Sequence, residues 1–194
     1  MPVNAALHCA NFEERRDKAM ALFAEKGFGQ VSMRELAAHV GLTPGSLYHH
    51  FPSKQDLLYD LIEELYEELQ ATLDQGRRAL ARGQAVLPCL VAAHWQLHQE
   101  RPLQFRLAER DFCCLSEDQQ ARLANVRARY EKGLLHLIAP QARLQGQALA
   151  ATGHVVATLL KQLPGLLRER GLDDAQAQGL MESLLVGGLG RALG

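Results

Sequence analysis

Between Thr43 and Lys54 the chain reads TPGSLYHHFPSK, and most of these side chains can hydrogen-bond to an anion or a base edge. Ser46, Tyr48, His49 and His50 offer a hydroxyl, a phenol and two imidazoles within five residues, while Leu47 and Phe51 can turn inward. Thr43 has the chemistry of a helix N-cap and Pro44 that of a first helical residue. With Gly45 they keep the helix start slim, so its free amides and positive dipole end can approach a phosphate. Lys54 stands at the start of the next helix, where its ammonium can meet another phosphate.

A second group has different chemistry. Trp95 lies with His94 and His98 on one segment, Phe105, Arg106, Arg110 and Phe112 follow on the next, and Tyr130 on a third. Aromatic side chains accompanied by arginines suit an apolar ligand with an acidic head group. Ordinary helix packing with solvated arginines explains the same residues equally simply. A metal reading rests on His94 and His98, four apart on one helical face, with Cys113 or His154. It lacks a third donor at short spacing, so no metal site is assigned. Cys9, Cys89, Cys113 and Cys114 form no CxxC pair, and indifferent thiols in a reducing cytoplasm are expected.

These groups need elements to hold them. Hydrophobic residues are 47% and charged residues 22% of the 194, the balance of a globular chain. The net charge of −1 advertises no nucleic acid, although a small head can be locally basic while the remainder offsets it. β-branched residues are sparse and apolar positions recur at three and four residues, which predicts an all-α fold. No signal peptide or membrane span is evident, and a cytoplasmic location without membrane partner is expected.

The periodicity predicts a first helix over Phe12–Lys26, closed by Gly27. Ser32 with Glu35 is a capping box opening a second helix, which ends at Gly41. Thr43-Pro44 opens a third, broken by Pro52, and Ser53 with Asp56 caps a fourth that runs to about Gln75. The segment from Gly76 to Gly83, with Arg77, Arg78 and Arg82, reads as a loop. Further helices are predicted over Val86–Gln99, Leu103–Leu115, Ser116–Ile138, Gly146–Leu163 and Asp173–Leu193, punctuated by Pro102, Pro140 and Pro164. The last carries Leu180, Leu184, Leu185 and Leu189 with Gly187, Gly188 and Gly190, and such glycines suggest close backbone approach.

Two short helices joined by Gly41-Leu42-Thr43 have the spacing of a helix-turn-helix. The full string SMRELAAHVGLTPGSLYHHFPSKQDL, Ser32 to Leu57, resembles the signature of the TetR family. That signature has a Thr or Ser cap, Leu/Ile-Ala, a Gly-hydrophobic turn, Leu-Tyr-x-His-Phe, and Lys followed shortly by Leu. The resemblance implies a three-helix DNA-binding head over residues 1–54, with the motif at about 32–51. It implies a larger helical ligand-binding and dimerisation domain over 55–194. It further implies that Ser32 and Arg34 touch DNA from the first motif helix. Thr43, Pro44, Gly45, Ser46, His49 and His50 would then enter the major groove, with Tyr48, His50 and Lys54 on phosphates.

Partners implied are a double-stranded, near-palindromic operator, a second copy of the chain, and a small-molecule effector. No cofactor is called for. The run of arginines, acids and Arg127-x-x-Tyr130-Glu131 resembles TetR-like regulators that bind acyl-CoA thioesters. Candidate effector contacts are therefore Trp95, His98, Phe105, Arg106, Arg110, Phe112 and Tyr130. No GxSxG, HExxH or phosphate-cradling glycine loop supports an enzyme. A metal- or thiol-responsive regulator and a helical adaptor are the alternatives.

Overall fold

In the computed structural model the backbone is described for residues 3–139 and 146–193, and side chains for 12–139 and 146–188. Among the described residues every regular element is helical. Helices α1 (Val3–Lys26), α2 (Met33–His39) and α3 (Pro44–His50) come first, with a 3₁₀ turn at Phe28–Gln30. Then follow α4 (Lys54–Ala81), α5 (Val86–Glu100), α6 (Pro102–Arg110) and a 3₁₀ turn at Phe112–Cys114. The order closes with α7 (Glu117–Ile138), α8 (Gly146–Glu169) and α9 (Asp174–Leu193). No helix among the described residues is long and apolar enough to cross a membrane.

The helix starts use the chemistry their sequences carry. Ser32 Oγ accepts from the Glu35 amide at 3.2 Å, and the Glu35 carboxylate accepts from the Ser32 amide in return. Thr43 Oγ1 accepts from the Ser46 amide at 3.1 Å, with Pro44 directly behind it. Ser53 and Asp56 close the same kind of ring at the head of α4. Ser116 and Gln119 satisfy each other reciprocally before α7. Each cap supplies a partner for amides that a helix cannot satisfy internally.

Two predicted breaks are not breaks. The segment predicted as a loop from Gly76 is helix, because α4 continues to Ala81. Gly76 is a contact glycine: a Cβ there would lie 3.0 Å from Leu90 and 3.2 Å from Leu137. The true stop is Gly83, whose φ of +68° reverses the chain where a side chain would strain it. Likewise α8 passes through Pro164 and ends at Glu169, not at Leu163. Pro164 is buried, so packing offsets the lost backbone hydrogen bond. Smaller differences are that α1 begins before Phe12 and that α6 stops at Arg110, giving way to the turn at 112–114. The predicted break at Pro140 and the side chains of Cys9, Leu189 and Gly190 lie outside the described residues.

The chain divides into two compact units. One holds residues 1–64 and 103–121, the other 65–102 and 122–194. In the first, Phe23, Leu36, Leu47, Leu57 and Leu58 form a core between α1, α2, α3 and the start of α4. Arg110 fastens α6 to that core: its guanidinium donates to the carbonyls of Phe23 and Ala24 and to Asp111. In the second unit α5, α8 and α9 pack together around Leu90, Val91, Val156, Leu160 and Met181.

Candidate nucleic-acid interface and effector region

Helices α2 and α3 meet across a tight turn in which Gly41 takes φ +72°. Leu36, Ala37 and Leu47 are buried beneath them, while Arg34, Thr43, Pro44, Gly45, Tyr48, His49 and His50 lie on the outside, most of them exposed. Tyr48 exposes 51% of its surface, far more than a tyrosine held by packing. Ser46 is half-buried, its hydroxyl 3.0 Å from that of Thr43, so both already serve the cap. Ser32 is exposed at the start of α2. The result is a short helix whose N-terminal side offers polar groups and no apolar bulk.

Two predicted contacts are occupied within the unit. Lys54 Nζ donates to the carbonyls of Phe28 and Val31, 2.8 Å each, and lies over the Phe28 ring at 4.4 Å. This ammonium closes the turn after α1 and keeps one N–H in reserve. The His50 ring stacks obliquely on Phe12 at 5.4 Å, a seat against α1. Lys26 and Glu35 tie α1 to α2, and the lysine holds the Glu35 carboxyl below its usual range.

The second group of candidates is split between the units. Phe105, Arg106, Arg110 and Phe112 belong to the unit of α1–α3, whereas Trp95, His98 and Tyr130 belong to the other. Phe105 is buried, Phe112 half-buried and Arg106 exposed. Arg110 is engaged with α1 and Asp111 as described above. Around Trp95 the structure is buried and polar at once. His94 Nδ1 donates to the Leu90 carbonyl at 2.7 Å, so Nε2 must be the lone-pair nitrogen that receives the Tyr130 hydroxyl proton at 2.5 Å. Both ring nitrogens are thereby used. Burial pushes the His94 pKa down to about 4 and raises that of Tyr130. His98 is likewise lowered to about 4 by burial and then by the neighbouring Arg168 cation. Among the described residues no three His, Cys, Asp or Glu side chains gather as metal ligands.

Arg168 is the residue that sequence reasoning missed here. Its guanidinium lies 5.7 Å from the Trp95 ring centre. Placing a helix break at Pro164 put this arginine beyond the helix and hid its spacing relative to α5. Trp95 Nε1 and Arg168 Nη2 are buried and make no hydrogen bond among the described residues.

The described residues thus form an all-helical chain that opens with a helix-turn-helix head. Residues 16–61 match the family model for bacterial regulatory proteins of the tetR family. A tetR-family regulatory protein from Rhodococcus RHA1 superposes with a TM-score of 0.74 at 21% identity, covering 95% of this chain and 97% of that one. PfmR, a TetR-family regulator from Thermus thermophilus, gives 0.68 at 24% identity, covering 87% and 93%. AibR, solved in complex with isovaleryl coenzyme A and operator DNA, gives 0.71 at 15% identity, covering 90% and 97%. Residues 16–61 thus carry the region that the tetR-family model describes, and the chain as a whole shares the fold of these regulators.

Proposed function

We propose that the chain is an operator-binding repressor that acts as a homodimer and is released by a small, largely apolar effector. Residues 1–54 are the reading head in this account, and 55–194 serve dimerisation and sensing. The observation that carries it is the exposed polar face of α3, with Tyr48, His49 and the Thr43–Ser46 cap at its open end. In the major groove Ser46 and His49 reach base edges, while Tyr48, and His50 or Lys54 if released from their seats, meet phosphates. Ser32 and Arg34 add contacts from α2.

Dimerisation has its own support. Val155, Leu159 and Leu166 on α8 and Leu180, Leu184 and Val186 on α9 are all exposed. Among the described residues nothing lies within 4 Å of a Cβ built at Gly179, Gly187 or Gly188, so these glycines answer no contact there. Large apolar groups beside open glycines are what a second copy needs for close helix approach. Six such side chains per chain, at about 1.5–3 kcal/mol for each fully buried one, favour a stable pair.

For the effector, Trp95 and Arg168 are the favoured anchors: two buried donors lacking an acceptor suit a carboxylate or thioester oxygen. AibR carries isovaleryl coenzyme A and operator DNA in its own complex, which encourages an acyl-type effector here. His98 and Tyr130 belong to the same unit and stand with them in this account, whereas Phe105, Arg106, Arg110 and Phe112 belong to the other unit. The effector must prefer the DNA-incompetent spacing of the two heads, since only differential affinity shifts an equilibrium. Coupling of about 1–3 kcal/mol would loosen the operator roughly 5- to 150-fold.

Selection from a random DNA library tests the reading. An inverted repeat should emerge, Tyr48→Ala should weaken all sequences alike, and Ser46→Ala or His49→Ala should change which repeat is preferred. Each lost base contact should cost about 1–3 kcal/mol. No enriched repeat, or three variants indistinguishable from the parent, would defeat it.

A further inference from the structure

Away from Trp95, α4 and α7 form an open cleft of about 390 Å³. Gln70 and Arg77 face it from α4, and Arg129, Lys132 and His136 from α7. The cleft depends on Gly133. A Cβ there would lie 2.7 Å from Leu73 Cδ1, so any larger residue would force the buried Leu73 side chain to shift. The same built position lies 3.9 Å from both Gln70 Nε2 and Arg77 Nη2, so two donors from α4 converge over the bare glycine.

Charge and size narrow the occupant. Arg77, Arg129 and Lys132 are permanent cations, and among the described residues no carboxylate lines the cleft. Asp74 pairs with Arg77, and among the described residues Arg129 and Lys132 form no ion pair. Arginine forks and a lysine ammonium match phosphate oxygens. From Arg129 to His136 the helix rises about 10 Å, so the cations are spread along a short stretch and suit a ligand with more than one phosphate. A volume of 390 Å³ falls within the roughly 300–1,000 Å³ of small-molecule sites. A duplex, by contrast, presents a long convex backbone to a flat or protruding face.

We propose that this cleft binds a small molecule bearing a diphosphate, held by Arg77, Arg129 and Lys132 over Gly133. The site is independent of the effector reading around Trp95, and its test does not involve operator DNA for a positive result. Calorimetry on the full chain should show one inorganic pyrophosphate or ADP per chain, with AMP weaker and sulfate weaker still. Arg129→Gln with Lys132→Gln should lose about tenfold or more in pyrophosphate affinity, the scale of two charge-assisted contacts. Arg78→Gln, an exposed arginine of α4 outside the cleft, should leave that affinity unchanged. The proposal fails if pyrophosphate binds no better than sulfate, or if Arg78→Gln weakens it as much as the cleft pair does. It fails too if the cleft pair leaves pyrophosphate binding intact while lowering affinity for non-specific duplex DNA.

Discussion

The outer face of α3 and the outer faces of α8 and α9 are uncovered in a single chain, and they are chemical opposites. Around α3 the exposed groups are hydroxyls, a phenol and imidazoles on a helix of seven residues. Along α8 and α9 they are leucines and valines on helices of 24 and 20 residues, interrupted by glycine. A face of the first kind is content in water and gains from a polyanion. A face of the second kind gains by leaving water, and a second copy of itself is the partner always present. In the proposed mechanism the two depend on each other, because a short helix reads too few base pairs to find one site, and pairing doubles the readout.

That contrast can be broken at its apolar end with the largest effect. Leu166→Glu combined with Leu184→Glu puts two carboxylates on the uncovered face without disturbing a filled core, since both residues are half exposed. Sedimentation should then show monomers, and operator affinity should fall toward the non-specific level, about a thousandfold or more. A variant that stays dimeric would move the seam elsewhere.

The second test concerns burial rather than exposure. His94 and His98 are neutral inside the α5 unit, each with its pKa depressed to about 4. Unfolding returns them to water, where they titrate near about 6.5. Between about pH 6.5 and about pH 4 the unfolded chain therefore binds protons that the folded chain refuses. Stability is full above that window and falls as pH drops through it, by at most about 1.4 kcal/mol per pH unit for each histidine. Denaturant unfolding at about pH 7 and about pH 5 measures this, and His94→Gln should reduce the slope. A stability that rises on acidification would contradict the assignment of neutral, buried rings.

A smaller effect separates glycines that are packed from those that are open. At Gly153 a Cβ would stand 2.5 Å from Leu135 Cδ1 and 2.6 Å from its Cγ, whereas at Gly179 it meets nothing. Gly153→Ala should cost about 1–3 kcal/mol through overpacking, despite alanine's better helix propensity. Gly179→Ala should leave the fold intact and weaken only the pairing. Equal behaviour of the two in thermal unfolding and sedimentation would erase the distinction.

The head was more legible in the sequence than the rest because its determinants are local. A cap and its partner lie three residues apart, as at Ser32–Glu35 and Thr43–Ser46, so spacing alone reveals them. The second unit is written in tertiary terms. Gly76 looks like a helix stop until Leu90 and Leu137 are seen against it, and Pro164 looks like a break until its burial is known. Both misreadings hid chemistry, since Arg77 was placed in a loop and Arg168 beyond a helix end. Lys54 shows the limit even within the head: its type and position suit a phosphate, but the carbonyls of Phe28 and Val31 hold it first.

The central claim is that α3 reads DNA from a symmetric pair. The most direct measurement is the stoichiometry and footprint of the complex on a selected inverted repeat. The account predicts chains bound in multiples of two, with protection centred on half-sites spaced by about 34–36 Å or a multiple of it. Replacing Tyr48 and His49 together by alanine should abolish that footprint while the free protein stays dimeric. One chain per site, or a footprint that survives the double replacement, would contradict it.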